Sequence, residues 1–200
     1  MNLNNDVSTV RRFRLSEVFI DQYRGEEVPW GPIGYVTFKR TYARRLNEVD
    51  PSLDGTEEWF QTCRRVIEGM FTIQKRHVSF LGLEWNDAKA QRTAKEAYDR
   101  LFNLKWTPPG RGLWMMGTKF VDERTGAGLF NCAFRSTKEL ASKGGYLFSW
   151  IMDALMVGIG VGFDTKGAGT LTIKQPVWTD DVFVISDSRE GWVESVRILL

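Results

Sequence analysis

Apolar side chains recur at three- and four-residue intervals through Trp59, Phe60, Cys63, Val66, Ile67, Met70 and Phe71. That spacing places them on one face of a helix and predicts one over about residues 57–73. Thr56 stands where an N-cap belongs, and Glu57 and Glu58 complement the helix dipole. Cys63 lies on the apolar stripe, where a thiol packs as a small hydrophobe. Ala90, Ala94, Ala97, Tyr98, Leu101 and Phe102 form the face of a second helix, from about Asp87 to Leu104. A looser pattern of Val10, Phe13, Val18, Phe19 and Tyr23 fits a short helix ended by Gly25. Pro29-Trp30-Gly31-Pro32 reads as a rigid turn with an aromatic anchor. Tyr35, Val36, Phe38 and Tyr42 follow among basic residues, in a pattern that selects neither helix nor strand. Residues 1–8 are polar and expected to be disordered. The first hundred residues thus read as a helical layer.

Thr107-Pro108-Pro109-Gly110-Arg111-Gly112 stops that layer. A short apolar segment, Leu113 to Thr118, comes next. After the turn at Thr125-Gly126-Ala127-Gly128, the residues Leu129, Phe130, Ala133 and Phe134 suit a buried strand, with Asn131 and Cys132 in its middle. A helix is expected from about Thr137 to Met156. From Tyr146 onward it is apolar almost all round, which predicts burial on several sides and leaves Asp153 to be explained. Val157 to Asp164 alternates with Gly158, Gly160 and Gly162. Glycine at every second position strips one face of a strand, so something must approach its backbone closely. Leu171–Ile173 and Val182–Ile185 read as short strands. Asp187 or Ser188 caps a last helix, from about Arg189 to Leu200.

Composition narrows the function. Apolar residues make up 42% and charged residues 26%, an ordinary globular balance. Lys and Arg number 27 against 25 Asp and Glu, which argues against a dedicated nucleic-acid binder. Basic residues still cluster early, at Arg11, Arg12 and Arg14, at Lys39, Arg40, Arg44 and Arg45, and at Arg64 and Arg65. They read as a solvated helix face or as an attraction for a phosphorylated small molecule. Two cysteines make no disulfide framework. A single histidine, His77, excludes a His-rich metal site and a Ser-His-Asp triad with any choice of base; it reads as a surface residue. The N-terminus has no apolar signal core and no run reaches transmembrane length, so the expected setting is the reducing cytoplasm, with no membrane partner.

The glycine run does not meet the requirements of a nucleotide loop. Gly158, Gly160 and Gly162 lack the three-residue step of the dinucleotide fingerprint, and Ala168 stands where a phosphate loop needs lysine. A strand crossing close to another backbone, or a small molecule on the bare face, both remain open. Cys132 is either a packed thiol or one held for redox chemistry. Asp153 is either an ion-pair partner or an acceptor for a ligand ribose.

Several stretches together resemble one family, the monomeric adenosylcobalamin-dependent (class II) ribonucleoside-triphosphate reductases. They are Pro29 to Arg44, Pro109-Gly110-Arg111 with Leu113-Trp114 and Gly117-Thr118, and Asn131-Cys132-Ala133-Phe134. Phe148-Ser149 to Asp153-Ala154-Leu155-Met156, Gly158 to Phe163 and Asp187 to Val193 follow in the same order. The resemblance implies an α/β fold: a mainly helical region over residues 1–125, then the first strands of a ten-stranded α/β barrel over 126–200. It implies that ribonucleoside triphosphates are reduced to deoxynucleotides by a thiyl radical generated with adenosylcobalamin. In that family Cys132 would be a redox-active cysteine on the first barrel strand, closing a disulfide with a partner far downstream. Backbone around Asn131, Gly158, Ile159 and Gly160 would face the substrate. Ser149 and Asp153 would help to bind a deoxynucleotide effector, and thioredoxin would regenerate the thiols.

The departures are as informative. The radical cysteine, the second redox cysteine, the cobalamin region and a C-terminal dithiol have no counterpart among the 200 residues. Even an eight-stranded barrel takes about 250 residues. The expectation is an N-terminal portion completed by a second chain or a missing C-terminal part, and inactive alone. The alternative is a non-catalytic remnant, or an effector-binding and assembly half of a split reductase. Asp164 to Ser186 is also shorter than the effector-site insert of the monomeric enzymes.

Overall fold

The computed structural model describes residues 10–48, 52–123, 126–172, 174–175, 177–178 and 180–200. The expectation for residues 1–8 lies outside them. The chain divides into two compact units, Met1–Leu129 and Phe130–Leu200.

The first unit is helical. Its axis is α3, Trp59–Phe80, which packs against α4, Asp87–Phe102. The predicted stripe is the buried face: Cys63, Val66 and Ile67 are fully enclosed, as are Ala94, Tyr98 and Leu101 of α4. Each such aliphatic side chain contributes about 1.5–3 kcal/mol on burial. The N-cap of α3 is Glu58, in a capping box with Gln61, two residues beyond the expected Thr56. The reason is Glu57, whose carboxylate is held outside the helix by Arg65, Thr62 and the Arg44 N–H. Thr56 instead forms an antiparallel bridge with Arg45. Asn86 caps α4 by accepting from the Lys89 N–H.

Only Glu17–Asp21 is helical in the first apolar stretch (α1), not Val10 to Tyr23. Residues before it run without regular structure because α3 side chains take their donors. The Phe13 N–H donates to Thr72 Oγ1 and the Leu15 N–H to Glu68 Oε1, at 3.1 and 3.0 Å. The ambiguous stretch is a helix, α2, Pro32–Thr41, opened by its proline. Trp30 anchors that turn against Phe38 and Trp59, with ring centroids 5.2 and 4.9 Å apart. Past the prolines, Gly110–Met115 forms α5 and Lys119–Glu123 forms α6.

Between α5 and α6 the chain passes tightly against α3. Gly117 has φ +78°, and a Cβ there would lie 2.2 Å from the Arg65 carbonyl oxygen. Gly117→Ala therefore combines left-handed strain with a backbone clash. We expect it to cost about 2–3 kcal/mol in urea unfolding. A neutral result would show that α3 does not hold this turn.

The second unit pairs two short strands in parallel: β1, Cys132–Arg135, and β2, Gly160–Phe163. Between them lie a 3-10 turn at Thr137–Glu139, α7 at Leu140–Lys143 and α8 at Tyr146–Met156. The single helix expected over 137–156 is broken at Gly144, whose φ is +48°. Ser188 caps α9, Arg189–Leu199, as expected, and α9 packs on α8. Three expectations are corrected. β1 is not buried, since Phe130, Cys132 and Phe134 are exposed. α8 buries Leu147, Ser149 and Ala154 but exposes Tyr146, Phe148, Leu155 and Met156. No strand forms among the described residues of 171–172 and 182–185, whose side chains are exposed and whose backbone has no partner ladder; Ile173 lies outside the described residues.

Candidate functional site

Parallel pairing brings the two singled-out segments side by side. Cys132 stands opposite Gly160, Ala133 opposite Val161, and Phe134 opposite Gly162. Side chains alternate across a strand, so Cys132, Phe134, Gly160 and Gly162 share one face. That face is open: the Cys132 thiol is exposed beside two residues without side chains. A Cβ on Gly160 would meet only the Asn131 carbonyl oxygen, at 3.7 Å, and one on Gly162 only the Phe134 ring, at 3.6 Å. Contacts within this unit do not require those glycines, which leaves the bare face for something else.

The backbone around the thiol is largely committed. Asn131 is exposed, and its carbonyl accepts the Gly160 N–H at 2.9 Å. The Gly158 N–H donates to Leu155 and the Ile159 N–H to Ala154, closing the end of α8. Ile159 is buried, and Gly158 has φ +80°. Of the two α8 residues, Ser149 is buried and its hydroxyl donates to the Tyr146 carbonyl at 3.0 Å. Asp153, half exposed, pairs with Arg189 of α9. Arg189 also reaches Glu190 at 2.8 Å.

One residue of the site was missed. Asp164, just past β2, accepts from the Ser136 hydroxyl at 2.8 Å. It also accepts from the Thr137 N–H at 2.9 Å and the Thr137 hydroxyl at 2.8 Å, and from the Lys166 N–H at 3.2 Å. These donors, led by the Thr137 N–H and opposed by desolvation, hold its carboxyl well below the usual 3.8. Nothing in the spacing from Ser136 to Asp164 signals this contact; it exists only because the strands pair.

The sign of the pH effect follows. A depressed native carboxyl stabilises the fold fully above its ordinary value and loses that contribution as pH falls through the lower native value. Asp164→Asn should therefore be less stable than wild type at neutral pH. The gap should narrow as pH drops below 3.8. Urea midpoints of the two proteins across that range check it, and a gap independent of pH would contradict it.

The second cysteine is of another kind. Cys63 is fully buried in α3, and burial pushes its thiol well above the ordinary range. It fits the packed role read from its stripe. Several of the early basic residues are ion-pair partners within the first unit: Arg14 and Arg64 hold Glu68, Arg65 holds Glu57, and Arg12 holds Asp122. His77 is exposed. Among the described residues no three His, Cys, Asp or Glu side chains gather to hold a metal ion, and no helix is long and apolar enough to cross a membrane.

A sequence profile of the ribonucleotide reductase alpha domain matches residues 15–118. The chain belongs to the ribonucleotide reductase alpha-domain family. Among its relatives is a probable adenosylcobalamin-dependent ribonucleoside-triphosphate reductase of Dictyostelium discoideum, 37% identical over 96% of this chain and 27% of that protein. The adenosylcobalamin-dependent ribonucleoside-triphosphate reductase of Euglena gracilis is 38% identical over 99% of this chain and 27% of its own length. A crystal structure of a B12-dependent (class II) ribonucleotide reductase superposes with TM-score 0.69 at 28% identity, covering 94% of this chain and 32% of that one. The chain thus spans about a quarter of the length of these curated reductases. The similarity includes the β1–β2 unit, which lies beyond the part matched by the alpha-domain profile.

Proposed function

We propose that this chain is the N-terminal part of a ribonucleotide reductase that converts ribonucleoside triphosphates to 2′-deoxyribonucleoside triphosphates in the cytoplasm. The observation that carries the reading is the exposed Cys132 thiol in register with Gly160, on a face whose β2 positions are both glycine. A ribose can lie against glycine backbone with the thiol at its edge. In the reaction, two thiols give up two electrons and two protons. The substrate loses its 2′ hydroxyl as water, and the thiols close a disulfide. Cys132 is one of the two. The other comes from outside these residues, since Cys63 is enclosed in the first unit's core.

β1 and β2 are then the first strands of a ten-stranded α/β barrel, with the helical region before them. The thiyl radical that opens the reaction forms on a cysteine supplied by the remainder. Asn131, Gly158, Ile159 and Gly160 shape the substrate face. The Gly160 N–H holds the strand pair and those of Gly158 and Ile159 close α8, so the contact these three offer is close approach. The reading of α8 as part of a deoxynucleotide effector site is supported by Asp153 and Ser149 lying on it; an effector there would compete with Arg189 for Asp153. Thioredoxin returns the disulfide to dithiol.

Relatives named for adenosylcobalamin make it the cofactor of the assembled enzyme. The residues described do not fit it. Two cavities of the first unit hold about 550 and 400 Å³, sizes for small ligands rather than a corrinoid with its nucleoside. The chemistry assigned to this chain is that of Cys132 alone.

The test is assembly. Expressed together with a relative's remaining length, this chain should yield adenosylcobalamin-dependent formation of deoxynucleotide. A folded assembly that binds nucleotide but forms no product would favour the effector-binding, non-catalytic alternative.

A further inference from the structure

The carboxyl ends of β1 and β2 are tied in a knot that neither the glycine pattern nor the reductase reading uses. Asp164 gathers four donors from Ser136, Thr137 and Lys166. The one Thr137 hydroxyl proton also lies within reach of the Asp164 carbonyl, at 3.0 Å, so the two acceptors share it, and Oγ1 accepts the Gly167 N–H at 2.8 Å. Gly167 is buried there, and a Cβ on it would lie 2.2 Å from the Thr137 carbonyl oxygen. So Gly167 is a glycine because Thr137 occupies its side-chain space. The three amides at this end, of Thr137, Lys166 and Gly167, are all spent within the knot.

Two four-residue strands have little ladder of their own to resist slippage, and their register is weakly specified where side chains are absent. β2 carries glycine at two of its four positions. A one-residue slip would turn Cys132 away from Gly160. The knot opposes such a slip because Asp164 follows β2 directly and three of its four donors, on Ser136 and Thr137, follow β1 directly.

We propose that Asp164 is a positioning residue: by clamping Ser136 and Thr137 it fixes the register that sets the Cys132 thiol beside Gly160. The consequence for catalysis rests on the reductase reading; the positioning itself does not. The test therefore reads register without turnover. Gly160→Cys places a second thiol opposite Cys132 on a neighbouring strand about 4.8 Å away, within reach of a disulfide. The effective concentration of that pair is measured against oxidised and reduced glutathione in the whole chain. With Asp164 present the pair should couple strongly. Asp164→Ala should lower the effective concentration about tenfold, as expected when one or two net hydrogen bonds leave the closed form. Asp164→Asn, which keeps one acceptor oxygen, should fall between. Ser188→Ala, which removes the α9 cap and the contact with the Ser186 hydroxyl, controls for loss of stability and should leave the coupling unchanged.

Unchanged coupling in a folded Asp164→Ala chain would overturn the proposal, as would an equal fall in Ser188→Ala. If Asp164→Ala does not fold, hydrogen exchange of the Gly160 amide in Asp164→Asn decides: faster exchange supports the clamp and unchanged exchange overturns it. In the assembled reductase, Asp164→Asn should lower kcat with KM unchanged. A positive coupling result beside an inactive assembly would retain the clamp and discard the reductase reading.

Discussion

Glu57→Gln should lower the stability of the first unit by about 3–5 kcal/mol, the cost of breaking a buried pair by removing one partner. The Glu57 side chain is 4% exposed and that of Arg65 is 8% exposed. Two parallel bonds join them, at 2.8 and 2.9 Å. Thr62 Oγ1 and the Arg44 N–H complete the carboxylate. Glutamine keeps the shape and one acceptor oxygen but not the charge, and leaves the guanidinium buried without a counter-ion beside the Leu113 and Met116 carbonyls. Those bonds tie α5 to α3, so the damage should spread to the turn at Gly117. Adding Arg65→Met should recover part of the loss, because the penalty lies in the unpaired charge. Urea unfolding followed by tryptophan fluorescence measures both. A loss below about 1 kcal/mol, the range of exposed ion pairs, would show that the pair is solvated.

The second large effect falls on turnover. In the assembled reductase, Cys132→Ser should cut multiple-turnover reduction with a thioredoxin system by at least about 100-fold, or 2.7 kcal/mol of barrier. A hydroxyl cannot supply the electron pair that a disulfide leaves behind. Cys63→Ser should leave turnover near wild type, apart from a stability cost, because its thiol is enclosed among apolar side chains. The contrast separates the two cysteines by environment: one on an open strand face, the other inside a helical core.

Much of this was legible in the residues. The stripes of α3 and α4 were read to within a few residues except at the end of α3, because a 3.6-residue period survives any detail of packing. The Ser188 cap and the glycine strand were read for similar local reasons. Burial of Cys63 followed from its stripe. What failed was decided by partners outside the local pattern. Val10 to Ser16 lost its helix to Thr72 and Glu68, which lie more than fifty positions away. The α3 cap moved because Glu57 was drawn to Arg65. Val182–Ile185 had the composition of a strand but no neighbour to pair with. The candidate site was legible as types, a thiol and a bare strand, and as family blocks. Its register and the Asp164 knot were not, since they arise from two segments that meet although they lie 28 positions apart in the chain.

One measurement reaches the central claim, that Cys132 supplies electrons to the ribose. The reduced, assembled protein is given ribonucleoside triphosphate without thioredoxin, quenched with iodoacetamide, and its cysteine peptides are weighed. The account predicts that Cys132 becomes protected from alkylation, in a disulfide, in step with the deoxynucleotide formed. Product accumulating while Cys132 remains fully alkylated would contradict it.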